Sequence, residues 1–295
     1  MRTALLITAS LLSMSSIAIA QKQQKFSTTP DNLEYAFITG KERTKKNPAL
    51  KGDFISIKYN LKVNDSILVP TPTADAAPVK TNLPEYLPET KFFSGLPIEG
   101  IYKMNAGDSV IFRTNAKAYF SSTGLPQPEW IKDTDTFQWN VKMTQFESLV
   151  DFKNKNAQLR KLNPQFLKTE GGLEYKFIDL GKGGRIAGPM DISNFHVVYA
   201  IGDSIIFNSL KFNEGKPVPQ QLNIPQSKGD LMEGLLLMQP GDRAVFKINI
   251  KEALSNMKME LQPWMKETDD MRWEVRMVDL KSQDELKAEE EALAK

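Results

Sequence analysis

The chain has 295 residues, of which 41% are hydrophobic and 25% charged, and its formal net charge is +2. That balance is typical of a globular protein with room for two domains, and no Lys/Arg-rich run predicts nucleic-acid binding. The absence of cysteine excludes disulfides, thiol nucleophiles and cysteine-ligated metals. The one histidine, His196, lies in the apolar run FHVVY and is interpreted as structural. We therefore expect no metal site and no cofactor.

Residues 1–20, MRTALLITASLLSMSSIAIA, differ in character from everything that follows. One basic residue precedes an apolar stretch, and Ala18 and Ala20 place small residues three and one positions before a cleavage point at Gln21. This layout indicates a cleavable secretory signal. Four serines interrupt a run that is already short for a membrane span, so cleavage is favoured over anchoring. We expect an exported protein, periplasmic or secreted, with no stable membrane span after cleavage.

The elements after the signal alternate mostly with the period of a strand. FISIKYNLKV at 54–63 alternates apolar and polar residues and predicts a half-buried strand. PIEGIYKM at 97–104 has helical spacing and is the only helix that we predict in this part of the chain. DSVIFRTNA at 108–116 and TFQWNVKMTQF at 136–146 predict two further strands. Several antiparallel strands around one short helix make an α+β domain.

The same order of elements then occurs a second time. EGIYKMNAGDSVIFR at 99–113 and EGLLLMQPGDRAVFK at 233–247 are 134 residues apart, and the spacing holds without a gap from residue 95 to 143. LEY at 33–35 and 173–175 are 140 residues apart, as are Tyr59 and Tyr199, which we match with each other on that basis. A repeat of about 110 residues is long enough to fold alone, so the domain has been duplicated.

The duplication predicts five segments. A basic, polar stretch with helical apolar spacing separates the copies, and a Glu/Lys-rich tail favours a solvated helix at the end. The first copy also carries a longer Pro-rich connection, VPTPTADAAPVKTNLPEYLPETKF at 69–92. The predicted segments are a signal at 1–20, the first domain at 21–147, a linker at 148–171, the second domain at 172–280 and a tail at 281–295.

Two motifs resemble those of a known family. EGIYKMNAGD and EGLLLMQPGD are similar to the EG-L-x-x-M-x-x-G-[DE] helix and turn of FKBP-type peptidyl-prolyl isomerases, and GLEYKFIDLGKG at 172–183 resembles their opening strand. The resemblance covers almost all of the chain after the signal and implies two tandem FKBP-like domains. It also implies an exported folding factor that acts on unfolded or proline-containing client proteins.

Prolyl isomerisation is compatible with a chain that has no cysteine and a single histidine. The barrier comes from amide resonance, and an apolar, aromatic-lined pocket favours the twisted amide over the planar one. Such a site needs no histidine, cysteine or metal. The resemblance places the catalytic pocket of the second copy at Tyr199, Phe207, Leu231, Leu254, Met265 and Trp273. It places a substrate-binding pocket in the first copy at Tyr59, Val69, Phe93, Phe120, Ile131 and Trp139.

Both copies depart from the family pattern at the residue that forms the floor of the pocket and at the polar residues around it. Pro97 and Leu231 stand where the family usually has a tryptophan floor, and Phe120 and Leu254 replace a tyrosine. The family's aromatic-Asp pair corresponds to Val69-Pro70 in the first copy and to Phe207-Asn208 in the second. The second copy therefore keeps more of the pattern and is the better candidate for catalysis. A chaperone without catalysis and a scaffold that binds a dedicated partner stay open as alternatives.

Overall fold

Two antiparallel sheets, one in each copy of the repeat and each with seven strands among the described residues, form the framework of the protein. A computed structural model describes residues 25–64, 66–84 and 95–293, so the predicted signal at 1–20 and Phe93 lie outside the described residues. The first sheet consists of β1 (Ser27–Thr28), β2 (Glu34–Thr39), β3 (Phe54–Val63), β4 (Ser66–Val69), β5 (Val79–Asn82), β6 (Ser109–Asn115) and β7 (Thr136–Glu147). The second consists of β8 (Leu167–Lys168), β9 (Glu174–Asp179), β10 (Ile192–Ile201), β11 (Ser204–Asn208), β12 (Val218–Gln221), β13 (Arg243–Asn249) and β14 (Asp270–Lys281).

The two sheets have the same topology. The order is β1-β2-β6-β7-β3-β4 in the first and β8-β9-β13-β14-β10-β11 in the second. In each, a further short strand pairs with the long central one, β5 with β3 and β12 with β10. The strands predicted from alternation are all present, and the α+β class with two antiparallel sheets is confirmed. Inside the Pro-rich connection, however, the structure has the strand β5, which alternation did not indicate.

A short helix packs against the sheet in each copy. It is α1 (Pro97–Ile101) in the first copy and α5 (Leu231–Leu235) in the second. The glycine of the EG pair explains how closely these helices approach. A Cβ atom on Gly100 would lie 2.0 Å from the Phe112 ring, and one on Gly234 would lie 2.4 Å from the Phe246 ring. Both phenylalanines are completely buried. The repeated glycine and phenylalanine are therefore one packing unit.

The Gly-Asp turn that follows each helix is held by the aspartate side chain. Asp108 Oδ2 accepts a hydrogen bond from Asn105 N (2.7 Å), and Asp242 Oδ2 accepts one from Gln239 N (2.9 Å). The glycine before each aspartate has φ near +90°, a conformation that favours glycine. The turn is thus set by local chemistry, which is why its sequence recurs.

The prediction of a single helix in each copy was wrong. A second helix follows the Gly-Asp strand in both, α2 (Ala116–Thr123) and α6 (Ile250–Met257). Asn115 and Asn249 cap them, since their side-chain oxygens accept from the backbone N–H of Ala118 and Lys251. The second copy also has the short helix α4 (Ser209–Phe212), where the first copy has prolines.

The helix predicted between the copies is α3 (Leu149–Leu159), and its residues contact both of them. The Phe152 ring lies 4.3 Å from the Phe54 ring of β3 and also packs against the core of the second copy. Arg160 follows the helix and forms a bidentate ion pair with the fully buried Asp242, at 2.6 and 2.7 Å. The last helix, α7 (Gln283–Leu293), has no buried residue. No helix in the described part of the chain is long and apolar enough to cross a membrane.

Candidate functional site

The candidate catalytic residues of the second copy come together on one side of its sheet. In the register, Tyr199 of β10 lies opposite Trp273 of β14 on one side and opposite Phe207 of β11 on the other. The Tyr199 and Trp273 rings stack with centroids 5.4 Å apart and an angle of 11° between their planes. All three side chains are half-buried and pack against the core. They form an aromatic wall that is partly accessible to solvent.

Three apolar side chains from other elements pack against the same core. Leu231 begins α5, Leu254 belongs to α6, and Met265 lies in the loop before β14. Leu254 is buried, whereas Leu231 and Met265 are half-buried. The six predicted residues thus come from five strands and helices and one loop, and all of them belong to or pack against the hydrophobic core of the second copy. We call these six residues the second cleft.

The polar groups of the second cleft are few and are used structurally. Burial raises the pKa of the Tyr199 hydroxyl, so this group is a neutral donor at physiological pH. Asn208, at the position of the family's aspartate, caps α4 by accepting from Leu210 N at 3.0 Å. No group of histidine, cysteine, aspartate or glutamate side chains that could hold a metal occurs among the described residues. The chemistry available in this cleft is therefore apolar contact and the one neutral donor of Tyr199.

In the first copy, rings of the copy itself fill the space beside Trp139. The Tyr119 ring stacks on the Phe137 ring with centroids 4.3 Å apart, and Phe137 stacks on Trp139 at 5.7 Å. Phe120 meets Phe137 edge-on at 5.8 Å. Trp139 is consequently only 8% exposed, and Ile131 is buried with it. The predicted binding residues Phe120, Ile131 and Trp139 are brought together here, but within a packed aromatic core.

Sequence reasoning missed Tyr119 and Phe137, which do most of this filling. Their equivalents in the second copy, at the constant spacing of 134 residues, are Ala253 and Met271. The second copy thus has a small side chain at the position of the Tyr119 ring that packs beside Trp139 in the first copy. The position of Tyr119 next to the predicted Phe120 could have pointed to it. The sequence does not show, however, which side of α2 packs beside Trp139.

The match between Tyr59 and Tyr199 was wrong. Tyr59 pairs with Val141 in β7, whereas Tyr199 pairs with Trp273 in β14. The residue that pairs with Trp139, and so occupies the position of Tyr199, is Leu61. In the strand register, the structural equivalent of Tyr199 is therefore Leu61, two residues after the Tyr59 of the sequence match. The first copy has no tyrosine at the pocket position.

Tyr59 and Val69 lie instead at a gap in the edge of the first sheet. Along β3, the pairing with β5 ends at Ile57 and the pairing with β4 begins at Leu61. An open cavity of about 430 Å³ lies at this gap, and Val79 forms part of its wall. In the second copy the helix α4 covers the equivalent gap. The twelve predicted site residues thus divide into the second cleft, the filled core of the first copy, this edge cavity, and Phe93, which is outside the described residues.

Comparison with known proteins adds remote structural likeness only. No family model and no curated protein matches the sequence. Among solved structures, the three FKBP domains of wheat FKBP73 align at 10% identity with a TM-score of 0.32, over 85% of this chain and 95% of that one. FkpA from Escherichia coli aligns at 19% identity and a TM-score of 0.32, over 45% of this chain and 59% of that one. The N-terminal domain of FKBP42 from Arabidopsis thaliana aligns at 16% identity and 0.31, over 41% and 96%. Likeness this remote carries no argument about function.

Proposed function

We propose that the protein is an FKBP-type peptidyl-prolyl isomerase whose activity resides in the second cleft. The observation that carries the proposal is the half-exposed wall of Tyr199, Trp273 and Phe207, to which Leu231, Leu254 and Met265 add apolar surface. An X-Pro bond has a barrier of about 18–20 kcal/mol that comes from amide resonance. A twisted amide loses resonance and is less polar, so this wall binds it better than the planar ground state.

The geometry also accounts for how the proline is held. Stacked rings present a flat apolar face, and a pyrrolidine ring that packs on such a face leaves its peptide bond at the solvent side. The Tyr199 hydroxyl supplies a neutral donor beside this face. Because Asn208 caps α4 and carries no charge, orientation of the client depends on apolar contact rather than on a carboxylate.

The proposal extends to the place of action and the client. Residues 1–20 have the layout of a secretory signal, and we propose that the mature chain acts outside the cytoplasm on unfolded, proline-containing exported proteins. The first copy, whose equivalent space is filled by its own rings, is assigned no catalytic part. It serves as a second body that contacts the client or positions the second copy through α3.

The experiment is a protease-free isomerisation assay on the mature chain and on two matched variants. Trp273→Ala removes half of the stacked wall and should abolish most of the acceleration. Trp139→Ala makes the same chemical change at the equivalent position of the first copy and should leave most of it. Far-UV circular dichroism at the assay temperature confirms that both variants are folded. Equal losses in the two variants would contradict the assignment to the second copy.

A second candidate is a client-binding chaperone without catalysis, and the filled first copy together with the uncharged Asn208 favours it. Two bodies on one chain raise the avidity for an unfolded client when both engage it. The test is suppression of aggregation of a proline-free model substrate. Suppression by a chain that does not accelerate isomerisation would establish this alternative, and a chain that does neither would refute both.

A further inference from the structure

Four large apolar side chains on β11 and α4 are directed to solvent. Phe212 is 70% exposed, Ile205 61%, Leu210 58% and Ile206 44%. Single exposed apolar residues are ordinary, but four large ones within residues 205–212 indicate a candidate binding surface. We call these four residues the apolar patch.

The apolar patch is continuous with the second cleft. The ring of Phe212 stacks on the ring of Phe207, with centroids 6.0 Å apart and planes at 19°. Phe207 in turn pairs with Tyr199 in the sheet. An extended chain that leaves the cleft past Phe207 therefore meets the exposed ring of Phe212 next.

The strand that carries half of the patch also offers an open backbone edge. β11 is the outermost strand of its sheet, so its outer side has no strand partner among the described residues. A register shift between Tyr199 and Ala200 leaves Ile206 without a cross-strand partner, so that neighbouring isoleucines are both exposed. Edge strands are usually protected by charges, and the sequence SIIFN of β11 contains none. An extended peptide can therefore add both backbone and apolar contacts here.

The size of the patch decides what kind of partner fits it. At about 200 Å² for each whole side chain, the four exposed fractions amount to roughly 450 Å². A stable interface between folded proteins takes about 800 Å² from each partner. The patch is therefore too small for a folded partner or for a stable dimer, but it suits three or four residues of an extended chain.

We propose that the apolar patch binds apolar residues of an unfolded client, a few positions along the chain from the proline that enters the second cleft. The substrate class is thus an X-Pro segment followed or preceded by large apolar side chains, rather than any exposed proline. The proposal rests on the proposed function only in placing the proline in the cleft, since binding to the patch needs no catalysis. It also assigns this role to the second copy alone, because α4 has no counterpart in the first.

The test measures the binding of two fluorescent, unstructured peptides to the full mature chain. One carries leucine and phenylalanine near its single proline, and the other carries serine and glycine there. The variant Ile205→Thr/Phe212→Ser should weaken binding of the apolar peptide about tenfold, because two exposed apolar side chains no longer contribute contact area. Binding of the polar peptide should change less than about twofold by the same reasoning.

The chain offers a matched control in the first copy. Ile67 is in β4 at the position equivalent to Ile205 and is also 61% exposed. Ile67→Thr should leave the binding of both peptides unchanged. An equal loss in this control, an equal loss for both peptides, or no measurable binding of the apolar peptide by the parent chain would overturn the proposal.

Two further outcomes separate this proposal from the others. If the parent chain binds the apolar peptide through the patch but accelerates no isomerisation, the isomerase proposal fails and the patch stands. If sedimentation shows that the parent chain is a dimer and that Phe212→Ser makes it monomeric, the patch is an interface between copies and the proposal is overturned. In an active enzyme, the double variant should raise KM for the apolar peptide and leave kcat unchanged.

Discussion

Replacing Asp242 by alanine should destabilise the second copy far more than the matching change destabilises the first. Asp242 is completely buried and accepts from Arg160 at 2.6 and 2.7 Å, from Gly181 N at 2.7 Å and from Gln239 N at 2.9 Å. Removing the carboxylate leaves the largely buried Arg160 guanidinium without its counter-charge. Breaking a buried pair in this way costs about 3–5 kcal/mol.

Asp108 is the matched control for this change. Its side chain accepts from Asn105 N at 2.7 Å, but the neighbouring guanidinium of Arg43 donates instead to the carbonyl oxygen of Met104 at 3.0 Å. Asp108→Ala therefore removes hydrogen bonds to the turn without stranding a bidentate partner. The expected loss is about 1–3 kcal/mol.

The assay is urea unfolding combined with hydrogen exchange resolved to individual peptides. Asp242→Ala should lower the protection of β13 and of α3, because Arg160 directly follows that helix. Asp108→Ala should act on β6. A double-mutant cycle with Arg160→Ala should give a coupling of more than about 1.5 kcal/mol. Equal destabilisation by the two aspartate variants, or additive effects of Arg160→Ala and Asp242→Ala, would refute the reasoning.

Two other predictions concern the helix that begins the repeated motif. Gly234→Ala should destabilise the second copy by about 2–4 kcal/mol, because the new Cβ atom would lie 2.4 Å from the Phe246 ring. A loss of stability below about 1 kcal/mol in thermal unfolding would contradict this packing. Burial raises the pKa of Glu233, whose carboxylate accepts from Thr169 Oγ1 and Gly229 N. Protonated Glu233 contributes its full stabilisation at a pH below the pKa that the group has in the unfolded chain. This contribution to the free energy of unfolding is lost as the pH rises through the higher pKa of the folded state. The stability of the parent chain relative to Glu233→Gln should therefore fall as the pH rises above 4.5, the ordinary pKa of this group, and urea titrations that show a rise would exclude this explanation.

The duplication and the main strands could be predicted from the sequence because their signals are local. A strand with one buried face alternates with a period of two, as FISIKYNLKV does, whatever it pairs with. The EG helix and the Gly-Asp turn recur because a glycine must admit the ring of Phe112 or Phe246 and an aspartate must accept from the turn. These requirements appear as residue identities at fixed spacing.

Some local signals were present but were given too little weight. Asn115 and Asn249 are good N-caps, and each begins a helix of eight residues directly after a strand. The strands β5 and β12 are only four residues long, and they exist because a long central strand offers them an edge.

The candidate site was decided by tertiary structure. Tyr59 and Tyr199 match in sequence, yet Leu61 occupies the position opposite Trp139, because register is set by pairing with β7 and not by distance along the chain. Whether an aromatic residue lines a cleft or fills one depends on its neighbours. Tyr119 packs beside the buried Trp139, whereas the second copy has the smaller Ala253 at that position and its Trp273 is half-buried.

The sequence by itself thus determined that a domain of alternating strands is present twice, and which glycine, aspartate and aromatic positions both copies need. Only the tertiary structure decided that the second copy has an accessible aromatic wall while the first has a closed one. The physical reason is that strand alternation and turn geometry arise from interactions between residues close in the chain. Accessibility arises from side-chain volumes that meet across strands and helices distant in the chain.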